Sequence, residues 1–124
     1  MPVPILKHGS YLIASIQSAL TDSEVLELRD DLADYIGRHR ARGIIVDVAA
    51  LDVIDSFVAR SLRTIALMAR LRGAATVIVG IQPDVAVAMV QFRLNLDPLQ
   101  TALDLDEAFA LLDGFRTGSG RDGR

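Results

Sequence analysis

An α/β sandwich built on a mixed sheet is the fold class this sequence predicts, on three observations. Two apolar runs, at 44–48 and 75–79, each lead into a segment whose apolar residues recur at helical spacing. Two short apolar segments open the chain around the turn cluster His8-Gly9-Ser10, as in a β-hairpin. No linker or internal repeat divides the 124 residues, and 51% hydrophobic content is ample for one core. The expectation is a single domain over 1–113: an initial hairpin, then parallel strands joined by right-handed crossovers, covered by about four helices.

The elements follow in order. Ile5-Leu6 and the segment 11–16 form the hairpin, and Pro2 and Pro4 suit an edge because proline lacks the ladder N–H. Thr21 and Glu24 have the spacing of a capping box, and Val25, Leu28, Leu32, Tyr35 and Ile36 continue at helical period. A first helix of about five turns ends near Gly43, with Arg38, His39, Arg40 and Arg42 favourable to its C-terminal dipole. The run 44–48 is apolar on both alternating faces, so helices should cover the strand on both sides or wrap one side tightly.

From Phe57 onward, Val58, Leu62, Ile65, Ala66 and Ala69 make one stripe of a second helix that Gly73 stops. A second buried strand at 75–79 meets a tight turn at Gly80, and Pro83 opens a third helix. That helix is apolar almost all round. Val85, Val87, Met89 and Val90 cannot all face one sheet, so part of its surface is expected to pack against another molecule. Residues 101–103 make a short last strand, and Asp104 or Asp106 caps a final helix carrying Ala108, Leu111 and Leu112. The glycine-rich end, 114–124, is expected to be a disordered tail.

Composition removes several function classes. A formal charge of -3 gives no basic footprint for nucleic acid. With zero cysteines there is no disulfide or thiolate chemistry, which agrees with a reducing compartment. No apolar run reaches the ~20 residues a bilayer needs, and the N-terminus has neither the basic start nor the apolar core of a signal peptide. A cytoplasmic location is expected. His8 and His39 lie far apart outside any ligand-spaced motif, and the usual acyl-transfer and nucleotide-binding motifs are missing. Neither a catalytic constellation, a metal nor a cofactor is expected.

What chemistry there is gathers where the run IIVDVAALDVID meets Ser56. Asp47, Asp52 and Asp55 fit capping and turn roles better than a phospho-receiver, which would need a further acidic pair and a later lysine. Ser56 is read as the first residue or the cap of the second helix, with a hydroxyl bonding an orphan N–H. Its alternative is phosphorylation, because free amides and the helix dipole tolerate a dianion there. The added charge of about -1.5 to -2 would land beside Asp52 and Asp55 and alter any partner surface. Phe57 is a core anchor or a recognition aromatic, and Arg60, Arg63 and Arg70 are a solvated face or the contact for an acidic partner.

On Asp55-Ser56-Phe57, with Val46-Asp47, Arg72-Gly73-Ala74 and Gly80-Ile81-Gln82-Pro83, the chain resembles a STAS domain of the anti-sigma-factor-antagonist family. The likeness runs from Pro4-Ile5-Leu6-Lys7 to Ala102-Leu103-Asp104-Leu105 and is nearest to the RsbS-like stressosome branch, so a sensor domain of the RsbR type is not expected. It implies a non-catalytic scaffold that co-assembles with an RsbR-like paralogue and holds an RsbT-like serine kinase. It further implies that phosphorylation at Ser56 weakens that hold and that an RsbX-like phosphatase resets it, with Asp52, Asp55, Phe57 and Arg60 as the switch surface. Two alternatives stay open: a stand-alone antagonist that binds an anti-sigma kinase directly, and a domain that binds a nucleotide or small ligand at the Ser56 helix mouth. One departure is local: Phe92-Arg93-Leu94 stands where the family often has a glycine-containing turn.

Overall fold

The computed structural model describes residues 3–122, with side chains through 114. Its strands are β1 (Ile5–His8), β2 (Tyr11–Ser15), β3 (Gly43–Asp47), β4 (Ala75–Val79) and β5 (Gln100–Ala102). They form one sheet in chain order, antiparallel between β1 and β2 and parallel from there on. The helices are α1 (Asp22–His39), α2 (Ser56–Leu71), α3 (Pro83–Gln91) and α4 (Leu105–Asp122). The expected class, an α/β domain with a mixed sheet and four helices, is the observed one.

The opening hairpin turns in two residues, since His8 pairs with Tyr11. Gly9, at φ +60, supplies the left-handed first position that such a turn needs. Because β2 to β5 then add in sequence, successive right-handed crossovers place α1, α2 and α3 on the same face. There Leu12, Ile44, Val46 and Ile78 meet Leu32, Leu62, Ile65 and Met89 in the main core. The opposite face, with Tyr11, Ile45, Val77 and Val79, packs under Ala108 and Leu112 of α4. Alternate residues of β3 thus enter different cores, and so its sequence reads as a continuous apolar run.

α1 begins with the expected capping box: Glu24 N donates to Thr21 Oγ1 at 3.2 Å and Thr21 N to Glu24 Oε1 at 2.9 Å. The Thr21 N–H holds the Glu24 carboxyl well below the usual carboxylate range. The other end of α1 corrects an expectation. Its left-handed stop is Arg40, at φ +50, and Gly43 is the first residue of β3. A Cβ on Gly43 would come within 2.9 Å of both Leu112 methyl carbons and 3.0 Å of the Tyr11 ring, so glycine there makes room for α4.

α2 does stop at Gly73, whose N–H donates to Arg70 O while Ala74 N donates to Ala69 O. The same pair of bonds closes α3 without a glycine: Arg93 N reaches Val90 O at 3.1 Å and Leu94 N reaches Met89 O at 2.9 Å. Arg93 takes the left-handed position itself, at φ +55. The left-handed turn is therefore held by an unfavourable residue, and Arg93→Gly is expected to stabilise the domain by about 1 kcal/mol. Urea unfolding checks this; an unchanged midpoint would count against strain at that turn.

α3 divides as its composition implied. Val85 and Met89 are buried, whereas Val87 and Val90 are 56% and 79% exposed. α4 is capped by Asp104, whose Oδ1 accepts from Glu107 N at 2.9 Å, so Asp106 lies inside the helix. Its backbone continues to Asp122, with the expected domain boundary at 113 falling within it. Side chains of the expected tail after 114, and residues 123–124 altogether, lie outside the described residues. No helix among the described residues is long and apolar enough to cross a membrane.

Candidate functional site

The loop between β3 and α2 is held at several points before it delivers Ser56. Val48 N donates to Val79 O of β4 at 3.0 Å, and Ala49 N donates to Asp47 Oδ1 at 2.9 Å. From the next loop of the sheet, Gln82 Nε2 donates to Ala49 O at 2.7 Å. Leu51 and Ile54 then turn inward and are buried in the main core. Polar bonds at one end and apolar anchors at the other thus fix where α2 starts. Asp52 and Val53, between the anchors, point into solvent, Val53 at 71% exposure.

Of the two roles open to Ser56, the structure gives it the first helical residue. The cap is Asp55: its backbone is extended and its Oδ1 accepts from Val58 N at 2.8 Å. Aspartate outcompetes the neighbouring serine because a carboxylate accepts the N3 amide proton more strongly and also answers the positive end of the helix. Ser56 is exposed, and among the described residues its hydroxyl makes no hydrogen bond. The two side chains therefore carry different loads. Asp55→Ala is expected to cost about 1 kcal/mol of stability and Ser56→Ala less than about 0.5 kcal/mol. Thermal melts compare them; the reverse order would return the cap to Ser56.

Two of the three aspartates take the expected turn and capping roles. Asp47 and Asp55 each accept a backbone N–H, while Asp52 is exposed with no side-chain hydrogen bond among the described residues. Phe57 is half-buried and faces a groove rather than the centre of the core. That groove, of about 280 Å³, runs between α1 and α2 and is lined by Leu26, Arg29, Phe57, Arg60, Ser61 and Thr64. Arg60 turns back along α2, its Nε donating to Ser56 O at 3.3 Å. Arg63 is not simply solvated, because its Nε donates to Asp97 O at 3.0 Å and ties α2 to the loop before β5.

Leu26 and Arg29 went unnoticed in the sequence, and nothing local marks them. They sit on the half-exposed flank of α1 and reach the groove only because α1 packs on α2. The two histidines stay apart: His8 stacks on Phe109 with centroids 4.8 Å apart, and His39 meets the edge of Tyr35 at 5.5 Å. Among the described residues no group of three His, Asp or Glu side chains is placed to hold a metal ion.

Comparison with known proteins agrees with this architecture. The STAS domain family matches residues 3–108. RsbS of Moorella thermoacetica, solved with a serine-to-glutamate substitution, is 34% identical with a TM-score of 0.78, over 93% of this chain and 97% of its own. A chain from the stressosome, described as a signal integration and transduction hub, is 32% identical with a TM-score of 0.73, over 91% and 98%. The RsbT co-antagonist protein RsbRA of Bacillus subtilis strain 168 is 24% identical over an alignment of 90 residues that covers 64% of this chain. It covers 33% of RsbRA, so the chain spans about a third of that relative. With family, fold and the Asp55-Ser56 helix start in agreement, this chain belongs to the STAS domain family, among its stressosome and anti-sigma-factor-antagonist proteins.

Proposed function

We propose that this protein is a non-catalytic stressosome core protein that holds a serine/threonine switch kinase and releases it when Ser56 is phosphorylated. One observation carries the reading: Ser56 is exposed at the first position of α2, with no hydrogen bond on its hydroxyl among the described residues, while Asp55 does the capping. A phosphoryl group can be added without removing a bond on which the helix depends. The kinase transfers the γ-phosphoryl group of ATP to Ser56 Oγ, and ADP and the hydroxyl proton leave. The new phosphate meets the amide dipole of α2, which tolerates it, and stands beside Asp52 and Asp55, which make the surface strongly anionic. Binding then weakens by repulsion and desolvation while the fold persists.

A stressosome chain and an RsbT co-antagonist among the relatives support co-assembly with an RsbR-like paralogue. The reading adds an RsbT-like kinase as the captive, an RsbX-like phosphatase for resetting, and a cytoplasmic location. The exposed side of α3, with Val87 and Val90, is the surface assigned here to contact with a paralogue. Incubating the protein with its kinase and ATP and mapping phosphate by mass spectrometry tests the site. Label on Ser56 is expected; label elsewhere, or none, would sink the assignment. Size-exclusion chromatography with the paralogue tests the assembly, because a stand-alone antagonist would elute as a small species.

A further inference from the structure

Arg60 stands one helical turn after Ser56 on α2. Helical side chains lean toward the N-terminus, so this arginine is carried back over the first turn. Its Nε is accordingly 3.3 Å from Ser56 O. Two arginines of α1 have found carboxylates, Arg29 with Asp30 and Arg38 with Asp34, both at 3.0 Å. Among the described residues Arg60 has no such partner, and Asp55, the nearest acid in sequence, is engaged with Val58 N. Arg60 thus stands at the rim of the groove that also holds Arg29 and Phe57, with no carboxylate bound to it among the described residues.

We propose that Arg60 is the internal counter-ion of a phosphate on Ser56. In the unmodified protein its guanidinium is presented at the groove to an acidic group of the partner; phosphorylation withdraws it into an intramolecular pair. This rests on the phosphorylation reading above. The spacing favours it, because an anion four residues before a cation is the stabilising order on a helix. The chemistry favours it too, since the guanidinium fork matches two phosphate oxygens. Release of the partner then has two components: a new negative charge repels it, and a positive contact is lost.

Phosphoserine installed at 56 during translation tests the pairing without any kinase. In a phosphorus NMR titration, the second ionisation of that phosphate is expected to be about threefold stronger with Arg60 present than in Arg60→Gln. The difference should shrink near 1 M salt, where the Debye length is about 3 Å. Identical titrations would overturn the pairing. In kinase binding, unphosphorylated Arg60→Gln is expected to be about tenfold weaker than wild type, and phosphoserine should cost it less than it costs wild type. Fully additive losses would overturn the competition. Failure of the phosphorylation reading would show separately, as absence of label on Ser56 in the kinase reaction, and would leave the titration result untouched.

Discussion

Gly80→Ala is expected to lower the unfolding free energy by about 3 kcal/mol, the largest loss anticipated from a single added methyl group. Gly80 sits at φ +82, where an L side chain is strained, and a Cβ there would lie 2.8 Å from Ala49 Cβ and 3.1 Å from Ala49 Cα. The second contact is backbone and cannot swing aside. Gly73→Ala is the control. Its φ is +86, but an added Cβ would meet nothing within 4 Å, so only the conformational cost of about 1 kcal/mol should appear. Urea unfolding of both variants separates strain from collision; equal losses would mean that Ala49 yields freely.

The Gly80 contact matters to the candidate site because Ala49 belongs to the loop that delivers Ser56. That loop is held by Ala49 N on Asp47 Oδ1 and by Gln82 Nε2 on Ala49 O. Pushing Ala49 away disturbs both bonds at once. The resemblance to the family in Gly80-Ile81-Gln82-Pro83 thus has a physical basis: glycine permits close approach of the two loops, and glutamine locks them.

Phosphoserine at 56 is expected to weaken kinase association about 100-fold, equivalent to about 2.7 kcal/mol, and Ser56→Asp by less because it adds one charge instead of nearly two. Ser56→Ala should retain the kinase, since among the described residues the hydroxyl makes no hydrogen bond. Melting of all three proteins should stay near that of wild type, because Asp55 keeps the cap. Titration calorimetry or surface binding with purified kinase provides the comparison. Equal retention by Ser56→Asp and Ser56→Ala would count against a charge switch.

Elements whose signals are local were legible in the sequence. The capping box of α1 needs only Thr21 and Glu24 three residues apart, and β4 is an apolar run bounded by glycine on either side. The surplus apolar surface of α3 was also legible, because one helix of that length cannot hide Val85, Val87, Met89 and Val90 together. Features decided by tertiary packing were not. Gly43 looks like a helix stop, yet its role is set by Leu112 and Tyr11, distant in the chain. Arg40 and Arg93 occupy left-handed positions that residue type alone argues against, and the turns hold them through backbone bonds.

At the site itself, the neighbourhood was legible and the division of labour was not. Asp55 and Ser56 are both good caps, and two adjacent capping residues leave the helix start ambiguous by one position. Only the bond from Val58 N to Asp55 Oδ1 resolves it. The groove beside Ser56 was invisible because one of its walls comes from α1, where Leu26 and Arg29 resemble any exposed helical residues. The same packing explains why Arg60, one cation among several on α2, acquires a particular role.

The most direct test of the central claim follows the kinase physically. Wild-type protein and Ser56→Ala are each assembled with the RsbR-like paralogue and the kinase, then given ATP and passed over a sizing column. The kinase is expected to leave the wild-type particle as phosphate appears on Ser56 and to stay with the Ser56→Ala particle. Departure of the kinase from both particles at the same rate would contradict the claim.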